Sequence, residues 1–99
     1  MGSGELDIGH GEVGGRGVFF VERDGARLAE QVYRRVDDRH VVIVHTEVKP
    51  QLRGQGVARR LLDATVAWAR ATGTRVAATC PYSKAQFEKD PSIGDVYQG

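Results

Sequence analysis

The chain is short of several things that would decide its class at once. It has one cysteine, Cys80, among 99 residues. A single thiol closes no intrachain disulfide and is too few for a cysteine-rich zinc site. That suits a reducing compartment, and a cytoplasmic setting is the expectation. Nothing approaches the ~20 apolar residues that span a bilayer. No basic stretch followed by an apolar one stands near the start, so no secretory signal is read there. The initial MGSG reads equally as native or as an added leader. Charge of one sign is not in excess: 14 Lys and Arg face 13 Asp and Glu, for a net charge of +1. That balance argues against bulk electrostatic binding to nucleic acid or a membrane surface.

What is there fits one small domain. At this length about 60–65% of the unfolded surface is buried on folding, so a core exists but is thin. Residues 1–17 are rich in glycine and poor in large apolar groups, and are expected to be mostly flexible, with ordering starting near Val13. Residues 18–99 form the domain. VFFVER at 18–23 reads as a strand, and Asp24-Gly25 signals a hairpin into a second strand over 27–36. A third strand covers 40–48. Its residues 41–44 are apolar on both parities, which predicts a central strand covered on both faces. From Gly56 the period changes. Val57, Ala58, Leu61, Leu62, Thr65, Val66 and Ala69 recur at helical steps, and Gly73 reads as the C-terminal stop. A fourth strand over 75–79 and a short helix over 83–89 follow. The expected fold is α+β (α/β): a mixed sheet in which an antiparallel meander leads into a right-handed β-α-β crossover.

The informative stretch is the seam between the third strand and the long helix, VKPQLRGQGVARRLL. Glycine is a poor helix starter unless the backbone must come close to something. Here Gly54 and Gly56 precede a helix whose first N–H groups have no intrahelical partner and carry the positive end of the dipole. Such a turn is a nest for an anion, most naturally a phosphate, and Arg53 adds charge. The nucleoside-triphosphate loop needs four residues between its glycines and a Lys-Ser/Thr pair, so it does not fit. A second glycine pattern, Gly9-His10-Gly11-Glu12-Val13-Gly14, has no strand before it and no helix after it, which excludes a dinucleotide site.

The seam does fit Gln/Arg-x-x-Gly-x-Gly/Ala, as Gln51-Leu52-Arg53-Gly54-Gln55-Gly56. With HTEV at 45–48 and CPYSKAQFEKDPSIGDV at 80–96, it resembles the acyl-coenzyme-A-binding signature of the GNAT superfamily of N-acetyltransferases, in the minimal YjdJ-type branch. Asp90 departs from the branch, where histidine is common. The resemblance implies acetyl-CoA as cofactor and an unidentified amine, a small molecule or a protein lysine, as acceptor. It implies a monomer or weak homodimer, with no metal. The N–H groups of Leu52, Arg53, Gly54, Gln55, Gly56, Val57 and Ala58, with Gln51 opening the motif, would hold the pyrophosphate. Thr46 to Val48 would meet the pantetheine arm as an added strand does.

Acetyl transfer needs an acceptor amine freed of its proton, a stabilised carbonyl oxygen and a leaving thiolate. His45 and Glu47 lie two apart on a strand and share a face, while Thr46 and Val48 share the other. Either His45 or Glu47 can serve as general base. The alternatives are a satisfied core histidine and an ion-paired glutamate. Cys80 precedes a helix start, which favours thiolate. The family resemblance offers it as nucleophile or thioester contact, against a small buried hydrophobe. Tyr82 reads as a proton donor to the leaving thiolate or as packing on Phe87. Trp68, Tyr33, Phe19 and Phe20 read as packing rather than a base-stacking platform. Arg59 and Arg60 read as a solvated helix face, or as reaching the coenzyme's 3′-phosphate. A non-catalytic acyl-CoA-binding or sensing module is the alternative function.

Overall fold

A computed structural model describes residues 7–98. Five strands form one sheet in sequence order: β1 (Gly9–Val13), β2 (Arg16–Arg23), β3 (Ala26–Asp37), β4 (His40–Val48) and β5 (Arg75–Ala78). The first four pair antiparallel, and β5 lies parallel to β4. Helix α1 (Val57–Thr72) makes the crossover, and α2 (Pro81–Lys89) follows β5. The C-terminal stretch bridges back at Tyr97 to Val76, covering the outer edge of β5. The third-strand limits, the helix and its stop match the sequence reading. Gly73 takes the left-handed conformation, φ +68°, and its N–H closes on Ala69. The amphipathic stripe buries Val57, Leu61, Leu62, Thr65, Val66 and Ala69 on the sheet. Each large apolar side chain on that stripe contributes about 1.5–3 kcal/mol.

Two expectations are corrected. Residues 9–13 are a strand, not a flexible leader; residues 1–6, including MGSG, lie outside the described residues. β1 is held by contacts far away in sequence. Tyr33 Oη donates to Glu12 Oε1 at 2.7 Å, so His10 Nε2, 2.8 Å from the same oxygen, must be the protonated nitrogen. Arg35 grips both Glu12 oxygens, at 2.6 and 3.0 Å. The His10 ring stacks on Phe19 at 4.0 Å, and Tyr33 stacks on Trp68 at 5.2 Å. Phe20 stands apart from this cluster, under the Arg27 guanidinium.

The second correction concerns β4. Val41 and Ile43 are buried, but Val44 is exposed and Val42 only half-buried. Both helices pack on the face that buries Val41 and Ile43, and on the opposite face of β4 Val44 is exposed.

The Arg35 hydrogen bonds, helped by Tyr33, hold the Glu12 carboxyl down to about 2, against an ordinary value of 4.5. A depressed acid stabilises the fold above its unfolded value and loses that contribution as pH falls through its folded one. Between about pH 4.5 and 2 the ion pair should therefore cost the protein on the order of 2 kcal/mol as Glu12 protonates. Urea unfolding at pH 7 and pH 3 checks this. Glu12→Gln should be less stable than the parent at pH 7, and the gap should narrow at pH 3 without closing, since that pH still lies above the folded value. An equal gap at both values would contradict it.

Candidate active site

A bulge decides which side chains face the helices. In the β3–β4 ladder Val32 pairs with His45 while Tyr33 pairs with Ile43, so Val44 is an extra residue. One inserted residue inverts the parity beyond it. Thr46 and Val48 thus join Val41 and Ile43 on the helix-covered face. His45 and Glu47 turn to the open face, each about half exposed. The reading of His45 as a core histidine fails, while Glu47 is ion-paired, with Lys49 and not with an arginine. His45 Nε2 lies 3.8 Å from Glu47 Oε1, and Lys49 Nζ lies 3.6 Å from Glu47 Oε2. Glu30 joins them, with ligand atoms of the three within 4.8 Å of one another. Arg27 and Lys49 balance the carboxylates, so the group reads as an ion-paired surface.

Cys80 sits on the other side. The amides of Thr79 and Cys80 both close on the Ile43 carbonyl, at 3.0 and 3.1 Å, which ends the β4–β5 pairing. Beyond that point β4 runs on to Val48 without a partner from β5. Cys80 is buried at this fork, the N-cap residue of α2, with its sulfur 3.4 Å from Thr46 Oγ1. Burial pushes the thiol up. The Thr46 hydroxyl and the amides and hydroxyl at the α2 start outweigh it and bring the thiol below its ordinary value. Cys80 and Thr46 are thus brought together, while His45 and Glu47 are not brought to them.

The seam is built as a pinned loop. A 3-10 turn, Pro50–Leu52, buries Leu52 at one end, and Val57 anchors the other. Between these anchors Gly54 and Gly56 are exposed and left-handed, with φ of +79° and +72°. A Cβ at either meets nothing within 4 Å, so their requirement is conformational. Arg53 Nε donates to the Val48 carbonyl at 3.0 Å, and Gln55 Nε2 to the Gln51 carbonyl at 3.1 Å. These bonds fix the loop before any ligand arrives.

The first helical bond of α1 is Arg60 N–H to the Gly56 carbonyl. Among the described residues, the amides of Gly54 to Arg59 make no close hydrogen bond to a carbonyl, although residues 53–56 lie in turns. The fan of free donors therefore begins later than the sequence implied. The amides of Leu52 and Arg53 are already bonded to Lys49 and Pro50, and Arg53 occupies the Val48 oxygen. The turn borders a cleft of about 300 Å³ lined by Val48, Leu52, Gly54, Gly56, Arg59 and Tyr82. Tyr82 stands at its edge, and Phe87 stacks on Tyr97 at 4.4 Å.

Arg59 is not a solvated side chain. It bonds Asp63 at 2.8 Å, Gln86 at 2.8 Å and the Asp90 carboxylate, tying α1 to α2. Arg59, with Ser92, holds the Asp90 carboxyl down to about 2. The departure at Asp90 thus has a structural partner in this chain. Sequence reasoning also missed Gln31, completely buried on β3 and bonded to Thr46. Its alternation with Ala29 and Tyr33 was the available signal.

Comparison with known proteins decides the family. The family model described as GCN5-related N-acetyl-transferase matches residues 18–96. The chain belongs to that family. The GCN5-related fold recurs in solved structures. A GCN5-like N-acetyltransferase candidate from Staphylococcus aureus is 39% identical, with 95% of this chain and 89% of that one covered, at a TM-score of 0.74. The ribosomal-protein-alanine N-acetyltransferase of Brucella melitensis shares the fold at 16% identity and a TM-score of 0.60, over 76% of this chain and 62% of that one. An Elizabethkingia anophelis family member with acetyl-CoA bound does so at 12% identity and a TM-score of 0.59, over 72% of this chain and 62% of that one. No curated protein matches the chain. Among the described residues no helix is long and apolar enough to cross a membrane.

Proposed function

We propose that this GCN5-related domain is an acetyl-CoA-dependent N-acetyltransferase of the minimal YjdJ-type branch, acting on a small amine or an exposed lysine. One observation carries the reading: the amides from Gly54 to Arg59 make no close backbone hydrogen bond, and five of these six residues line a cleft that Val48 and Tyr82 also border. That donor set fits a diphosphate, because main-chain N–H groups at a helix start stabilise an anion without bringing a charge of their own. Gly54 to Arg59 would hold the diphosphate. Thr46 and the strand edge at the fork would align the pantetheine arm. Acetyl-CoA, when bound, supplies the thioester carbonyl.

The chain's own residues do the rest. Cys80 and Thr46 meet at the fork, which supports reading the fork as the reacting end. Cys80 acts there as nucleophile or as thioester contact, and Thr46 donates to its sulfur. The proton of the acceptor amine leaves to water, because Glu47 and His45, the candidate bases, face away from Cys80 across β4. A second reading, binding without turnover, is favoured by one observation. The candidate bases and Cys80 stand on opposite faces of β4.

Coenzyme-A release against panels of small amines and lysine peptides separates the two. The proposal expects turnover that Cys80→Ala lowers at least tenfold. Acetyl-CoA stabilises a binding-competent protein by about 2.7 kcal/mol at a hundredfold excess over its Kd. That stabilisation without release of coenzyme A on any panel would leave the binding module instead.

A further inference from the structure

The core on the helix-covered face contains a polar chain that an apolar core would not need. Gln31 is fully buried, as are Thr65 and Ser83. Thr65 Oγ1 lies 2.6 Å from Gln31 Oε1. Gln31 Nε2 lies 3.3 Å from Thr46 Oγ1 and 3.4 Å from Ser83 Oγ. Thr46 Oγ1 lies 3.4 Å from the Cys80 sulfur. Among the described residues every buried side-chain nitrogen and oxygen has a partner.

These lengths fix the direction of the chain. A separation of 2.6 Å is ordinary for O–H···O and too short for N–H···O. The atom facing Thr65 is therefore the amide oxygen, and the Thr65 hydroxyl, also 3.0 Å from the Leu61 carbonyl, gives its one proton to the closer amide oxygen. Separations of 3.3 and 3.4 Å are too long for O–H···O and sit at the limit for N–H···O. The atom facing Thr46 and Ser83 is the NH₂. Each of those hydroxyls has one proton, and neither can donate it to a group that itself only donates. The Thr46 proton is left for the sulfur.

We propose that Gln31 is a positioning residue for the reacting end of the site: oriented by Thr65, its side-chain amide turns the Thr46 hydroxyl proton onto the Cys80 sulfur. Thr65 lies on α1 and Cys80 on the far side of Gln31. The chain therefore couples the helix that carries the anion nest to the thiol. The inference rests on the reading of Cys80 as a reacting group. The titratable neighbour of Cys80 is Tyr82; no acid or base adds to the interactions that set its thiol. His45 and Glu47 face away across β4.

With a single cysteine, [3-13C]cysteine labelling gives one resonance whose shift follows thiol ionisation, with no cofactor present. Thr46→Val should raise the midpoint by about one pH unit, the size of one lost hydrogen bond to a charged group. Thr65→Val should raise it too, because an amide without its donor is free to present oxygen to Thr46. Thr65→Ser should restore the parent value. A midpoint that moves in Thr46→Val and stays put in Thr65→Val overturns the relay, as does Thr65→Ser behaving like Thr65→Val. Should Thr65→Val fail to fold, contacts of the Gln31 NH₂ protons in the unaltered protein decide. Proximity to Thr46 and Ser83 supports the assignment, and proximity to Thr65 overturns it. Absence of turnover alongside the predicted shifts would remove the functional reading while supporting the relay.

Discussion

In isothermal titration, Gly54→Asp is expected to weaken acetyl-CoA binding on the order of a hundredfold or more. Gly54→Asn should weaken it less than tenfold. The pair isolates charge. Gly54 has φ +79°, and its missing Cβ faces open space. Asn and Asp both adopt left-handed dihedrals more readily than other side chains. Both variants should therefore keep the turn. They differ in a carboxylate placed among the amides that would grip a diphosphate. Two unit charges about 4 Å apart at a protein surface interact by about 4 kcal/mol, before screening by salt. Two phosphates facing one carboxylate leave a hundredfold even after heavy screening. Equal losses in the two variants would mean that shape, not charge, matters at Gly54.

The largest stability effect is expected at the opposite end of the sheet. A Cβ added to Gly17 would lie 2.0 Å from Tyr33 Cζ and 2.4 and 2.5 Å from the flanking ring carbons. The ring cannot step aside. It is completely buried, stacked on Trp68, and its hydroxyl is bonded to Glu12 and close to His10. Overpacking of this kind costs about 3 kcal/mol. For a domain of this size that lowers Tm by roughly 12–20 °C. Calorimetry of Gly17→Ala reads it directly. In a Tyr33→Leu background the same substitution should cost much less, since the two sites share one space. A Gly17→Ala protein melting within about 2 °C of the parent would show that Tyr33 is not held as described.

Much of the fold was legible because local signals agreed with the tertiary outcome. The change from alternation to helical spacing at Gly56 placed α1, and Gly73 stopped it. The run at 40–48 gave β4 its limits. β1 was hidden because Gly9-His10-Gly11-Glu12-Val13 has almost none of the β-branched or aromatic content that marks a strand. Its stability comes from Tyr33 and Arg35, more than twenty residues away. The bulge at Val44 was equally hidden. It leaves no mark in composition, yet it decides that Thr46, not His45, faces Cys80.

At the site the glycines marked a left-handed turn ahead of α1, and the family resemblance agreed with the family model. The sequence overextended the anion nest to Leu52 and Arg53, since a 3-10 turn that consumes their amides has no distinctive residue pattern beyond Pro50. The Arg59–Asp63 pair was readable from its four-residue spacing. The third partner, Asp90, was not, because only the packing of α2 on α1 brings it near.

The central claim is that the free amides from Gly54 to Arg59 hold the coenzyme's diphosphate. Backbone amide chemical shifts recorded while acetyl-CoA is titrated into the 15N-labelled protein test it most directly. The claim predicts that the largest changes fall on Gly54, Gln55, Gly56, Val57, Ala58 and Arg59, with smaller ones at Thr46 and Cys80. Binding that saturates while those six amides stay in place would contradict it.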